Sequence, residues 1–205
     1  MPEPIAAPGD DVLTANRRRV RRLGYRGVPR DLPPPPVAPL RAPAEVVDRA
    51  LVLHVVVSVA NGLDAAVARR WLDGLGLGGA LEPGEDDYLA DVADGTSAED
   101  GARRTGIEGL AVLLWALDLA PHPGWEALAS VETLAVLPAP GAPVADLPAA
   151  LRPSAELAAE RNLVTCMAWA LGDDDLAVGF APGSVEPYVV WERRRAMDWL
   201  FSSGW

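Results

Sequence analysis

The stretch Ala50-Leu51-Val52-Leu53-His54-Val55-Val56-Val57-Ser58-Val59-Ala60 carries no formal charge across eleven positions, and it constrains the fold more than any other part of the chain. Apolar surface this continuous has to leave water. It falls well short of the roughly 20 residues a membrane-crossing helix needs, so it predicts a buried central element of a globular protein. Pro43 with Glu45 close behind marks a helix start, and Asn61-Gly62 marks its stop near Ala60. The valines leave a strand reading open, because periodicity alone does not separate the two in a short apolar run.

Other helices follow from similar punctuation. Asp10 to Leu23 reads as a helix with acids at its start and arginines toward its end, which suits the helix dipole, and Gly24 ends it. Leu32-Pro33-Pro34-Pro35-Pro36 must be extended, since proline fixes φ and lacks a backbone donor, so residues 25–41 form a stiff strap. Helices are expected over about 63–73, from Pro83 to about Val92, and from Ser97 to Asp118 with a break at Thr105-Gly106. Residues 119–152 hold six prolines, and Val131 to Leu137 reads as either a short strand or a helical turn. Ser154 is expected to cap the next helix, Gly172-Asp173-Asp174-Asp175 to end it, and a last helix to cover Ser184 to Ser202. The fold class expected is mostly α: a single domain of about six or seven helices, preceded by the Arg-rich helix and the strap. The boundaries are a disordered start at 1–9, an arm at 10–41 and a helical domain at 42–205.

All 18 basic residues are arginine, and with the abundance of Ala, Gly, Pro and Val this suggests a GC-rich bacterial genome. Residues 1–41 carry eight Arg against four acids, and residues 42–205 carry ten Arg against 25 acids. The arm is therefore net +4 and the body net −15, which disfavours nucleic-acid binding by the body. Met1 to Gly9 lack an apolar run, so no signal peptide is read there, and Cys166 is a single cysteine suited to a reducing cytoplasm.

Glu108 and Glu192 each lie on a helical line of large apolar side chains: Val112, Trp115 and Leu119 for the first, Val189, Ala196 and Trp199 for the second. A carboxylate in such a place must be paired or protonated. Arg104, Arg161 and Arg193 to Arg195 are the candidate partners, and the leading expectation is a structural network joining helices. The catalytic alternative makes Glu108 and Glu192 a general acid–base pair with Arg193 or Arg194. His54 is expected to be a neutral core imidazole and His122 to lie in a surface loop. Neither has a second ligand at metal spacing, so no metal and no cofactor is implied. Asp173 to Asp175 lack the pattern of a calcium loop, and Cys166 reads as a small buried residue rather than a nucleophile. Seven of the twelve aromatic residues are Trp; Trp71, Trp115, Trp169, Trp191 and Trp199 are expected on helices as core, with Trp191 and Trp205 the ones to line a groove if one exists.

The order of several segments resembles the bacterial family DUF4272, whose function is unassigned. These are the Arg-rich first helix with Gly24 and Leu32-Pro33, and Arg41-Ala42-Pro43-Ala44-Glu45-Val46-Val47-Asp48-Arg49-Ala50. Arg104-Thr105-Gly106-Ile107-Glu108-Gly109-Leu110 then leads to Leu114-Trp115-Ala116-Leu117. Leu151-Arg152, Trp169-Ala170 and Glu192-Arg193-Arg194-Arg195-Ala196-Met197-Asp198-Trp199-Leu200 complete the set. The resemblance implies a mostly α-helical fold and supplies no activity.

The leading functional expectation is a non-catalytic cytoplasmic protein that binds a protein partner or helps scaffold an assembly. Candidate contact residues are Trp191, Trp205, Arg18 and Arg22, the two arginines being those an anionic partner would meet on the first helix.

Overall fold

The computed structural model describes residues 8–26, 28–36, 38–96, 100–144, 147, 150–172 and 185–201. Eight α-helices lie among them: α1 Asp10–Arg22, α2 Pro43–Ala60, α3 Ala65–Gly74, α4 Pro83–Ala93, α5 Asp100–Arg104, α6 Ile107–Ala116, α7 Ser154–Leu171 and α8 Pro187–Leu200. Two short 3-10 segments, Gly78–Ala80 and Val131–Val136, accompany them, and no strand occurs among the described residues. The mostly α expectation holds, and the two open readings close: Ala50 to Ala60 is helix, and 131–136 is a helical turn. The expected break at Thr105-Gly106 separates α5 from α6. Ser154 is the first residue of α7 rather than its cap, because Pro153 holds the N-cap position with an extended ψ of 132°. The last helix is shorter than expected, starting at Pro187, where a fixed φ suits the first turn. Residues 1–7, Asp173 to Asp175, Ser184, Ser202 and Trp205 lie outside the described residues.

By contact the chain sorts into two compact units. One, the central-helix unit, comprises Ala42–Ala120 and Ala129–Ala150; the other, the arm unit, comprises 1–41, Pro121–Leu128 and Leu151–Trp205. In the central-helix unit α2 is the axis, with α3, α4, α5 and α6 packed around it. Its charge-free run is buried on nearly every side, with only Ser58 half-buried, which is why it shows no polar stripe. Arg49 is buried on α2 and makes a bidentate pair with the buried Glu85 of α4, at 2.7 and 2.6 Å. Glu85 also accepts the Glu82 N–H at 3.1 Å, so one carboxylate both starts α4 and neutralises Arg49.

Helix ends follow local rules. α1 closes with Gly24 at φ 91°, the Tyr25 N–H reaching Val20 O at 3.2 Å and the Gly24 N–H reaching Arg21 O at 3.1 Å. α6 closes the same way without glycine: Asp118 takes φ 57°, and the Leu119 N–H reaches Leu114 O at 2.9 Å.

In the arm unit α1 and α8 both pack on α7. Asn16 of α1 donates to Ala159 O at 2.7 Å and to Asn162 Oδ1 at 3.0 Å, joining the arm to α7 by buried amides. The Tyr25 hydroxyl donates to Val185 O at 3.1 Å, and burial, helped by the charge of Glu186, pushes its pKa up to about 12. The strap is held through its carbonyls, since its prolines have no N–H to offer. Arg161 donates to Pro36 O at 3.1 Å while its Nε pairs with Asp198 at 3.0 Å. Arg41 donates its side chain to Trp199 O at 2.8 Å and its backbone N–H to Leu200 O at 2.9 Å, satisfying the open end of α8. Five donors on a planar fork explain why arginine is so useful in these places.

Candidate functional site

The arm unit contains one polar cluster beside a cleft, built on the loop Pro121–Leu128. Gly124 turns this loop with φ 66°, a conformation costly for a residue with a Cβ. The turn lets the Gly124 N–H donate to His122 Nδ1 at 3.0 Å. Because that nitrogen accepts, the ring proton sits on Nε2, which donates to Glu160 Oε1 at 2.9 Å. The Trp125 indole N–H donates to the same oxygen at 2.8 Å. From α1, Arg19 approaches the other oxygen at 3.6 Å with its side chain 40% exposed.

Arg193, only 1% exposed, fixes the loop from α8. Its guanidinium donates to Gly124 O and, at 3.1 Å, to Ala127 O, and it lies 4.8 Å from the centre of the Trp125 ring. Trp125 is thus held by its N–H on Glu160 and by its face on Arg193.

Burial pushes the Glu160 carboxyl up, but the hydrogen bonds from His122 and Trp125 and the nearby Arg19 charge outweigh it and hold it below the usual carboxylate range. Glu160 is therefore a charged structural acceptor at neutral pH. Both ring nitrogens of His122 are engaged, so the imidazole is not placed to take a proton from a bound molecule. Beside the cluster opens a cleft of about 420 Å³, lined by Arg19, Arg22 and Leu23 of the arm and by Gly124, Trp125, Glu126 and Ala127 of the loop. Arg22, Glu126 and Ala127 are exposed at its mouth.

Residues 14–205 match the family described as "Domain of unknown function (DUF4272)". The chain belongs to the DUF4272 family. No curated protein and no solved structure matches it.

In this DUF4272 member the residues singled out from sequence are placed as follows. Glu108, 1% exposed in the first turn of α6, accepts the Ala129 N–H at 2.8 Å. Glu192 is half-buried on α8 and is not free. The two belong to different units, so neither unit by itself holds the carboxylate pair. Arg193 is engaged by the loop, and Arg194 stacks 5.4 Å from the Trp191 ring centre while pairing with Asp198 at 3.3 Å. Arg104 donates to Ala60 O at 2.6 Å, at the end of α2. Arg18 is exposed, Arg22 lines the cleft, and Trp191 is half-buried.

Several expectations are corrected. Trp169 is 46% exposed rather than core, while Trp125, in the proline-rich stretch, is buried. His122 does lie in a loop, with its side chain 26% exposed, and the structure adds that the ring is drawn into the cluster. His54 is buried as expected, with Nε2 3.1 Å from Pro138 O, and burial lowers its pKa despite that carbonyl. Cys166 is buried, and burial raises its thiol pKa, which keeps it protonated and inert. Glu160, Arg19 and Trp125 were missed as a cluster. Their signal was weak: Glu160 is one acid on a helix, and its partners are distant in the chain. Among the described residues no group of three or more His, Cys, Asp or Glu could hold a metal ion, and no helix is long and apolar enough to cross a membrane.

Proposed function

We propose that this DUF4272 protein is a non-catalytic cytoplasmic binding protein that holds a partner polypeptide at the arm-unit cleft. The observation carrying this reading is the contrast within one site. The groups that could do proton chemistry, His122 and Glu160, are engaged in holding the loop, while the cleft beside them is open and carries exposed Arg22 at its mouth. A rigid, satisfied floor under a charged mouth suits recognition, since pre-ordered side chains lose little entropy on binding. The engagement of Arg193 and Arg194 weighs against the catalytic alternative through Glu108 and Glu192.

The test is capture from an extract of the native host with the full chain and with Arg22→Glu. The expected result is a partner that the unaltered chain retains at low salt, releases at high salt, and that Arg22→Glu fails to retain although its melting temperature is unchanged. Equal retention by both proteins, or no specific retention, refutes the reading.

A further inference from the structure

We infer that His122 is a proton-operated switch for the loop wall of the arm-unit cleft: the neutral ring accepts the Gly124 N–H, and the protonated ring turns the Pro123–Gly124 peptide over and donates to Pro123 O. This rests on the binding reading above and adds how the same site is regulated.

Donor direction is the first observation. The Gly124 N–H points at His122 Nδ1 from 3.0 Å, so that nitrogen carries a lone pair, while Nε2 donates to Glu160 at 2.9 Å. A doubly protonated imidazole is a donor at both nitrogens. Protonation therefore sets Nδ1–H against N–H, two donors face to face, and that contact must break. The Glu160 side is strengthened instead, because an imidazolium on a carboxylate makes a charge-assisted hydrogen bond. One proton releases Gly124 and leaves the ring held on α7.

The loop is built to yield at that one peptide. Proline fixes φ but leaves ψ free, and glycine takes either sign of φ, so the plane between Pro123 and Gly124 can rotate without a Cβ clash. Gly124 stands at φ 66°. The next peptide is anchored: Arg193 of α8 donates to Gly124 O and to Ala127 O, and Trp125 stays on Glu160. Rotation brings Pro123 O towards the ring, where it accepts the new Nδ1 proton. Both protonation states are then satisfied, and the loop has two arrangements rather than a gradual loosening.

Among the described residues the charged groups around the ring are Glu160 of α7, Arg19 of α1 on its other oxygen, Arg193 of α8 beyond Gly124, and Glu126 of the loop. Glu160 keeps its charge where histidine titrates, because its carboxyl is held below the usual carboxylate range. Water reaches the His122 side chain, 26% exposed, whereas the other histidine, His54, is 2% exposed. Gly124 to Ala127 line the cleft, so a partner fitted to the neutral wall is held less tightly in acid.

The test is an NMR titration of the full chain between about pH 8 and 5.5, reading the His122 ring nitrogens and the Gly124 amide, with two variants that freeze the switch. His122→Asn keeps an acceptor for the N–H two residues on, as in an Asx turn, and does not titrate. His122→Gln keeps a donor towards Glu160 and offers no acceptor to Gly124. In the unaltered chain the Gly124 amide should move with the same midpoint as the ring. In His122→Asn it should hold its neutral-pH position throughout, and in His122→Gln its acid position. The Trp125 indole N–H signal should persist at both ends, since Glu160 still accepts it. A polypeptide retained at neutral pH should be released in acid by the unaltered chain and kept by His122→Asn. A ring that does not titrate in this range, a ring that titrates while the Gly124 amide stays, a Gly124 amide that titrates in His122→Asn, a neutral position in His122→Gln, loss of the Trp125 signal in acid, or equal release by both proteins would each overturn the inference. If a variant does not fold, the titration of the unaltered chain decides alone. Because the flip is read without a partner, failed capture removes only the binding reading, and a fixed Gly124 amide removes only the switch.

Discussion

Replacing Glu160 with alanine tests the cluster most directly. The substitution takes the acceptor from the Trp125 indole N–H, on a side chain only 4% exposed, and from the His122 N–H, which is half-buried. An unsatisfied buried donor costs about 1–3 kcal/mol, and the more accessible His122 donor falls at the low end because water can reach it. The Arg19 contact, long and half-exposed, adds no more than about 1 kcal/mol. The expected loss is about 3 kcal/mol, which for a chain of this size lowers the melting temperature by roughly 6–12 °C. Glu160→Gln keeps one oxygen for both donors and should lose less than half as much. The charge itself is read from pH. The folded carboxyl lies below its ordinary value of 4.5, so on acidification the unfolded chain takes up its proton first. The stability Glu160 contributes is whole above about pH 4.5 and is lost as pH falls through its folded value, a dependence that Glu160→Gln should remove. Thermal and urea unfolding followed by tryptophan fluorescence between pH 3 and 7 would measure all three proteins. An alanine variant within about 1 kcal/mol of the parent, or a glutamine variant no better than alanine, would refute the argument that Glu160 is the acceptor holding the loop.

The other expectations concern the central-helix unit. Glu85→Gln takes the bidentate carboxylate away from the buried Arg49 and should cost up to about 3–5 kcal/mol, whereas Arg49→Met with Glu85→Gln should recover most of it; urea unfolding of the single and double variants decides. Gly62→Ala meets no neighbour within 4 Å, yet at φ 102° it should lose about 1–2 kcal/mol from backbone strain alone, and a neutral result would show that the helix end relaxes. Burial lowers the His54 pKa below its ordinary 6.5, so the unfolded chain protonates first on acidification and stability falls as pH drops below about 6.5. His54→Phe should flatten that portion of the stability–pH curve, and an unchanged curve would refute the assignment.

The helical architecture was largely legible because it is written in short-range chemistry. Pro43, Pro83 and Pro187 occupy first turns, where their fixed φ is an advantage and their missing N–H no loss. Gly24 and Gly62 supply positive φ where α1 and α2 must stop. Even the end of α6, with Asp118 in glycine's place, stayed close to its expected position because the preceding apolar run had ended. The Trp169 and Trp125 exchange was not legible. Helical periodicity assigns a face to Trp169 without saying whether any element covers it, and an indole among prolines gives no periodic signal at all.

Sequence alone determined that this chain is mostly helical, where most of its helices start and stop, that its arm is basic and its body acidic, and that Ala50 to Ala60 must be interior, while the choice of helix over strand for that run came from the structure. These follow from backbone dihedral limits, formal charges and the cost of apolar surface in water, all properties of neighbouring residues. Only the tertiary structure decided which carboxylate is engaged in the polar cluster. Glu160 receives donors from 38 and 35 residues away and a cation 160 − 19 = 141 residues away, while Glu108 meets a backbone N–H 21 residues on. A carboxylate's role depends on what lies within about 3 Å of it, the reach of a hydrogen bond, and in a bundle of helices that distance is set by packing across the chain rather than along it.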